Sequence, residues 1–291
     1  MKMIKFFMTL AMNLCFLALV LAQEKEVVIK IDTLSKDVFM LTGQGGNIGF
    51  YTGEHNVFMI DDQFERLSDK IKMAISKLTD QPVSFLFNTH MHGDHTGGNA
   101  KFNSKATTVV AHDNVRKSLV DRLAKDKKLD EKILPEVSFS DDITFYDGDE
   151  TIMAFHVHNA HTDGDAIVYF LTNNVMHMGD TYFSGRYPYI DLKSGGSVNG
   201  YIEAQKKALL LIDDETKIIP GHGAPSNKAE LEAYVKILED IKSKVLSEIN
   251  AGKSLEEVKN NTALLSAYDS TYGNGFINPV RVREIFYTSL K

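Results

Sequence analysis

Short runs of apolar, β-branched and aromatic residues alternate along the chain with longer stretches in which apolar residues recur every three or four positions. The short runs, bounded by Gly, Asn, Asp and Ser, read as strands. They fall at 27–31, 38–41, 56–60, 83–87, 109–111, 152–157, 166–171, 174–178 and 217–219. The helical spacing appears over 65–78 (Leu67, Ile71, Ala74, Ile75, Leu78), 114–123, 201–211 and 228–249, with helical fragments beyond. Between the second and third strands, residues 43–49 form a glycine-rich turn. It approaches a dinucleotide fingerprint, but Ile48 stands where the last glycine belongs, so no phosphate loop is assigned. Strands interleave with helices and the composition does not break, which predicts one α/β unit.

The first residues follow a different pattern. Lys2 and Lys5 precede an apolar run over 6–21, interrupted by Thr9 and Asn13, and Val20-Leu21-Ala22 leads to charge at Glu24. This reads as a secretory signal peptide over 1–23, leaving 24–291 as one domain that is secreted or periplasmic. The run is short for a membrane span, so no stable span is expected once it is removed. Cys15 lacks the small preceding residue that a lipid-modified cysteine needs, since Leu14 occupies that place. The formal charge of -7 becomes -7 - 2 = -9 without Lys2 and Lys5, and the single Cys leaves with the same segment. Disulfides and thiolate chemistry are thereby excluded. An acidic chain with no run of five Lys/Arg is a poor partner for nucleic acid. The 43% hydrophobic content suffices for a globular core.

The chemistry concentrates after the strand at 83–87, in His90-Met91-His92-Gly93-Asp94-His95. Three imidazoles and a carboxylate within six residues form the nitrogen and oxygen donor set that zinc prefers. One open catalytic zinc takes three protein ligands, so the surplus suggests two metals. His161, Asp180 and His222 each follow a strand and lie beside glycine. Strand ends converge on one sheet edge, so these residues can join the motif in space.

That run, followed in order by His161, Asp180 and His222, resembles the metallo-β-lactamase superfamily of zinc hydrolases over about residues 26–226. The resemblance implies an αβ/βα sandwich of two mixed sheets with helices outside, and two Zn2+ per chain. It places His90, His92 and His161 on one metal, Asp94, His95 and His222 on the other, and Asp180 as the bridge. The bridging aspartate is similar to the glyoxalase II and lactonase-like ligand set, whereas one β-lactamase subclass has cysteine there and another generally lacks the aspartate. The implied chemistry is attack of a metal-held hydroxide on the carbonyl of a small ester, lactone, thioester or cyclic amide, with Asp94 orienting the nucleophile and moving its proton. β-Lactam opening is a further activity of this kind. Asp61, Thr96, Asp163 and Asp165 are candidates to fix the imidazole tautomers. His156 and His158 lie on one strand face and compete with His161 for the first metal. His161 is preferred because its loop matches the family. His55, His112 and His177 lack the ligand pattern.

The segment after Asp180, from Tyr182 to Asp191, holds four aromatics and one arginine, and Ser194-Gly195-Gly196-Ser197 follows. Tyr182, Arg186, Tyr187 and Ser197 are candidate contacts for a small-molecule substrate. This stretch is similar to secreted bacterial members of the superfamily. Three rival readings are a phosphodiester hydrolase, a diiron redox protein and a non-enzymatic zinc-stabilised binding module. The charge opposes the first, and His92 opposes the second because diiron relatives carry a carboxylate there. An open coordination sphere opposes the third. Oligomeric state is not legible; the apolar residues of 276–290 suit either the core or a second copy.

Overall fold

The computed structural model describes residues 26–291, and the expected leader at 1–23 lies outside the described residues. Among the described residues, thirteen strands form two sheets. The first sheet holds β1 (Lys30–Thr33), β2 (Val38–Thr42), β3 (Ile48–Thr52), β4 (Val57–Ile60), β5 (Phe85–Asn88), β6 (Thr108–His112) and β7 (Val137–Phe139) in sequential order. β1 to β4 are antiparallel, and β4 to β7 are parallel. The second sheet holds β8 (Asp142–Asp147), β9 (Glu150–His156), β10 (Ala166–Phe170), β11 (Val175–His177), β12 (Lys217–Ile219) and β13 (Ser226–Asn227). It is antiparallel except for the parallel pair β11 and β12.

The sheets pack face to face. Alternate residues of the inner strands meet in one cluster, with Met40, Phe58, Ile60, Phe87 and Val110 opposing Ala154, Ala166, Val168, Phe170 and Ile219. The other set of alternate residues is equally buried, because helices cover both outer faces. Leu41, Phe50, Met59 and Leu86 pack beneath α1 (Ser68–Ile75). The motif loop carries two single-turn helices, α2 (Gly93–Thr96) and α3 (Asn99–Phe102), and α4 (Asp113–Lys125) follows β6. Ile167, Tyr169, Met176 and Ile218 pack beneath α5 (Val198–Leu211) and α6 (Lys228–Asn250), joined by the C-terminal helices α7 (Leu255–Asn260), α8 (Ser266–Tyr272) and α9 (Pro279–Leu290). Burial on both faces explains why these strands read as continuous apolar runs rather than alternating ones. Among the described residues, no helix is long and apolar enough to cross a membrane.

Four strands escaped the pattern reading: β3, β7, β8 and β13. β3 begins inside the glycine turn at Ile48, where Gly49 breaks the apolar run. β8 is an edge strand whose outward positions, Asp142, Thr144 and Tyr146, are solvated. β7 and β13 have three and two residues, too few to show a period. The helix expected over 201–211 starts at Val198, because the Ser197 side chain accepts from the Gly200 N–H and caps it.

Candidate metal centre

The C-terminal ends of β4, β5, β11 and β12 open on the same edge of the sandwich, and each delivers a polar residue there. Asp61 follows β4, the histidine motif follows β5, Asp180 lies three residues past β11, and His222 lies three past β12. His161 arrives from the loop between β9 and β10. The motif loop is held by backbone contacts. His95 and Thr96 donate their N–H groups to the His92 carbonyl at 3.0 Å, and Arg122 donates to the Met91 carbonyl at 2.6 Å.

All seven expected donors converge, in two groups: His90, His92, His161 and Asp180; and Asp94, His95 and His222. Asp180 divides its two oxygens between them. Oδ2 lies 3.5 Å from His161 Nε2 and 3.7 Å from His90 Nε2. Oδ1 lies 3.1 Å from His95 Nε2 and 3.4 Å from His222 Nε2, and His222 Nε2 is 3.3 Å from Asp94 Oδ2. The backbone of Gly221 makes this approach feasible, since a Cβ there would stand 2.0 Å from Asp180 Oδ1.

The outward nitrogens of His90, His92, His95 and His161 are engaged by protein, which orients the rings. His95 Nδ1 donates to Asp61 Oδ2 at 2.7 Å, and His161 Nδ1 donates to the Tyr189 carbonyl at 2.7 Å. His92 Nε2 donates to Asp191 Oδ2 at 3.1 Å. His90 Nδ1 lies 3.0 Å from Thr89 Oγ1, whose own proton goes to Asp61 Oδ2 at 2.8 Å. The inward nitrogens of His90, His92 and His161 are therefore unprotonated lone pairs. His161 Nε2 and His92 Nδ1 face each other at 2.9 Å with both protons committed elsewhere. His90 Nε2, His95 Nε2 and Asp180 Oδ1 are buried without a hydrogen-bond partner among the described residues. Lone pairs converging without donors are stabilised by a cation, and an imidazole and carboxylate set fits zinc.

The electrostatics divide between the two groups: against burial, Asp180 and Asp61 push His95 well above the ordinary histidine range, and Asp180 and Asp94 push His222 up to about 9, whereas the first group's His90 and His161 go down. Burial, reinforced by neighbouring imidazoles, holds His90 well below the ordinary histidine range, and burial pushes His161 down to about 4. Both are neutral, as metal ligation requires. Burial would raise Asp180, but His95, His222 and His90 override it and hold the carboxyl well below the ordinary range. Asp94 behaves alike: burial raises it, while the His222 hydrogen bond and the His95 charge bring it below the usual carboxylate value.

Other expected residues divide. Asp61 reaches His95 directly and His90 through Thr89. Thr96 holds the His92 carbonyl at 3.1 Å rather than a ring, and Asp165 accepts from the Thr162 N–H and hydroxyl in the loop that carries His161. The Asp163 backbone, not its carboxylate, joins that loop to Asn114 and Ser194. His156 stacks on His112 at 3.9 Å and donates to the Asp165 carbonyl, so the competing face of His156 and His158 does not enter either group. Asp191 and the Tyr189 carbonyl, which orient His92 and His161, were missed. Their only signal was a place in the segment after Asp180.

A cavity of about 720 Å3 opens over the donors, walled by Phe64, Phe183, Tyr187, Tyr189, Phe276 and Ile277, with Arg186 at its edge. Arg186 and Tyr187 are thus among the lining residues. Tyr182 is buried with its hydroxyl 2.8 Å from Ser226, and Ser197 caps α5, so neither reaches the cavity.

A family model described as "Metallo-beta-lactamase superfamily" matches residues 41–222. Among solved structures, DIM-1 metallo-beta-lactamase is similar at 19% identity and a TM-score of 0.62, covering 74% of this chain and 99% of that one. A metallo-beta-lactamase from Pontibacter korlensis has 16% identity and a TM-score of 0.61, covering 73% and 99%. The stereoselective inverting sec-alkylsulfatase Pisa1 from Pseudomonas sp. has 12% identity and a TM-score of 0.74, covering 89% of this chain and 50% of that one. At these identities the likeness concerns the fold.

Proposed function

The chain belongs to the metallo-β-lactamase superfamily, and we propose that it is an exported dinuclear zinc hydrolase acting on a small ester, lactone, thioester or cyclic amide. One observation carries the reading: Asp180 offers one carboxylate oxygen to each of two donor groups. A single-metal site needs no such division. When bound, two such metals would supply Lewis acidity and a water whose pKa falls towards about 7. The protein's own part is orientation and proton movement. His90, His92, His161 and Asp180 hold the first metal, and Asp94, His95, His222 and Asp180 hold the second. Asp94, with its side chain 26% exposed at the cavity floor, stays ionised and accepts the proton released when water adds to the carbonyl. The aromatic wall excludes water and receives the apolar part of the substrate. Arg186, the only Lys or Arg among the lining residues, receives an anionic group. Export rests on the basic and apolar pattern of 1–23.

The test is metal analysis followed by a substrate panel on the zinc-loaded protein. Two zinc equivalents and turnover of lactones or thioesters are expected, with β-lactams slower. Two irons would overturn the zinc assignment, and activity confined to a phosphodiester or an alkyl sulfate would overturn the carbonyl assignment. His90→Ala should fold without activity; its unfolding would instead support a structural zinc module.

A further inference from the structure

The glycine-rich turn between β2 and β3 has no role in the function so far, yet it touches Asp94 and His95 and holds the residues on either side of His222. The Gly46 N–H donates to the Asp94 carbonyl at 3.1 Å. The Gly46 backbone also lies against the His95 ring, where a Cβ would stand 2.1 Å from Cε1 and 2.4 Å from Nε2. Gln63 Nε2 holds the Gly46 carbonyl at 2.7 Å and thereby fixes that approach. Asn47 reaches across to the other sheet and brackets His222. Its N–H donates to the Gly221 carbonyl at 2.7 Å, and its Nδ2 donates to the Pro220 carbonyl at 2.9 Å and the Gly223 carbonyl at 3.0 Å.

The same residue extends towards Asp180. The Asn47 carbonyl accepts from His177 Nε2 at 3.2 Å, and His177 Nδ1 accepts from the Gly179 N–H at 3.1 Å, one residue before Asp180. Asn47 is 2% exposed, so water does not replace these bonds. The first group is oriented by other residues, namely Thr89, Asp191 and Tyr189. Among the described residues, no hydrogen bond joins 43–49 to His90, His92 or His161.

We propose that Gly46 and Asn47 are positioning residues that set the affinity of the metal site formed by Asp94, His95 and His222 more than that of the first site, with which it shares only Asp180. The proposal rests on the two-metal reading above. Residues that orient metal ligands are typically worth about 10- to 100-fold in affinity. Removing the Asn47 amide frees the two carbonyls that flank His222, while Gly46→Ala drives the His95 ring from its place.

The experiment is a zinc competition titration against a chromophoric chelator, resolving two dissociation constants, with cobalt absorption spectra of the same samples. The variants are Asn47→Ala, Gly46→Ala and the isosteric Asn47→Asp, which turns an oxygen towards both carbonyls and preserves volume where alanine would disturb folding. Glu150→Gln, at the opposite end of the sandwich, serves as the control for general destabilisation. The expected result is about 10- to 100-fold weakening of one site, with the other and both sites of the control within threefold. The cobalt spectrum should lose one component while metal-free circular dichroism stays native. Two wild-type sites that weaken together, or not at all, overturn the positioning role alone. A single wild-type equivalent overturns the two-metal reading and the proposal with it.

Discussion

The two ends of the sandwich bury carboxylates to the same depth and use them in opposite ways. At the metal end Asp180 is 5% exposed; at the far end Glu150 is 4% exposed and Asp147 is 2%. The Glu150 oxygens accept four bonds, from the backbone N–H groups of Thr151, Thr172 and Asn173 and from Asn173 Nδ2. Asp147 accepts from the His55 N–H, Asn56 Nδ2 and the Tyr51 hydroxyl. Acceptors there meet donors, and the three turns they join are closed. At the metal end acceptors meet acceptors. Burial therefore does not mark a site, but an excess of lone pairs over protons does.

The contrast breaks first at Asp180. Asp180→Ala removes the oxygens shared by both groups, and turnover should fall by about 1,000-fold or more, the scale of an essential group. The metal-free variant should also melt below the metal-free wild type, because the imidazoles that hold Asp180 ionised lose their buried partner. Steady-state kinetics with zinc analysis and a thermal melt check both halves; a folded variant with substantial activity would sink the bridging role. Glu150→Ala should act on stability alone. It removes the acceptor of four part-buried donors, which water re-satisfies in part, so a net loss of about 1–3 kcal/mol is expected in urea melts. The kcat of the folded fraction should not change.

The contrast was half legible in the chain. The metal end announced itself because ligation demands particular residue types at fixed spacing. His90, His92, Asp94 and His95 sit on one loop, and His161, Asp180 and His222 each mark a strand end. The residues that orient them were less visible, because a backbone carbonyl such as that of Tyr189 has no sequence signature. Asn47 and Gly46 were read as ordinary turn residues for the same reason: their contacts lie in a different sheet, at 221–223 and 95. The far end gave no signal, since Asp147 and Glu150 look like any hairpin acids. Strands β7, β8 and β13 were hidden by shortness and edge exposure, whereas the buried strands were overwritten by apolar residues on both faces.

A smaller effect separates histidines within the metal end. His112 and His156 stack there with hydrogen bonds to the Ser140 and Asp165 carbonyls, and neither joins a donor group. Burial, against the favourable Asp165 carbonyl, pushes His156 down to about 4 from 6.5. The unfolded chain then binds the extra proton between those values. This contribution to stability is complete above about pH 6.5 and is lost as pH falls through about 4. At about 1.4 kcal/mol per pKa unit its ceiling is about 3.5 kcal/mol. Urea midpoints from pH 8 to 4 should fall less steeply for His156→Gln than for the parent, and parallel curves would remove His156 from the acid response.

The smallest expected effect concerns the cavity mouth at the metal end. Phe276 lies beyond the 41–222 family match, is 84% exposed, and meets Tyr189 edge-on at 5.8 Å. Tyr189 in turn stacks on the His92 ring at 5.8 Å. An aromatic on the lip that touches the wall but none of the donors should govern capture rather than chemistry. An edge-on aromatic pair is worth about 0.5–1.5 kcal/mol, so Phe276→Ala should raise KM about 3- to 10-fold for substrates with a bulky apolar group. Small acetyl substrates should be unaffected, because they do not reach the lip. A fall in kcat shared by both substrate sizes would instead show that the C-terminal segment holds His92 in place through Tyr189, making the mouth part of the metal centre.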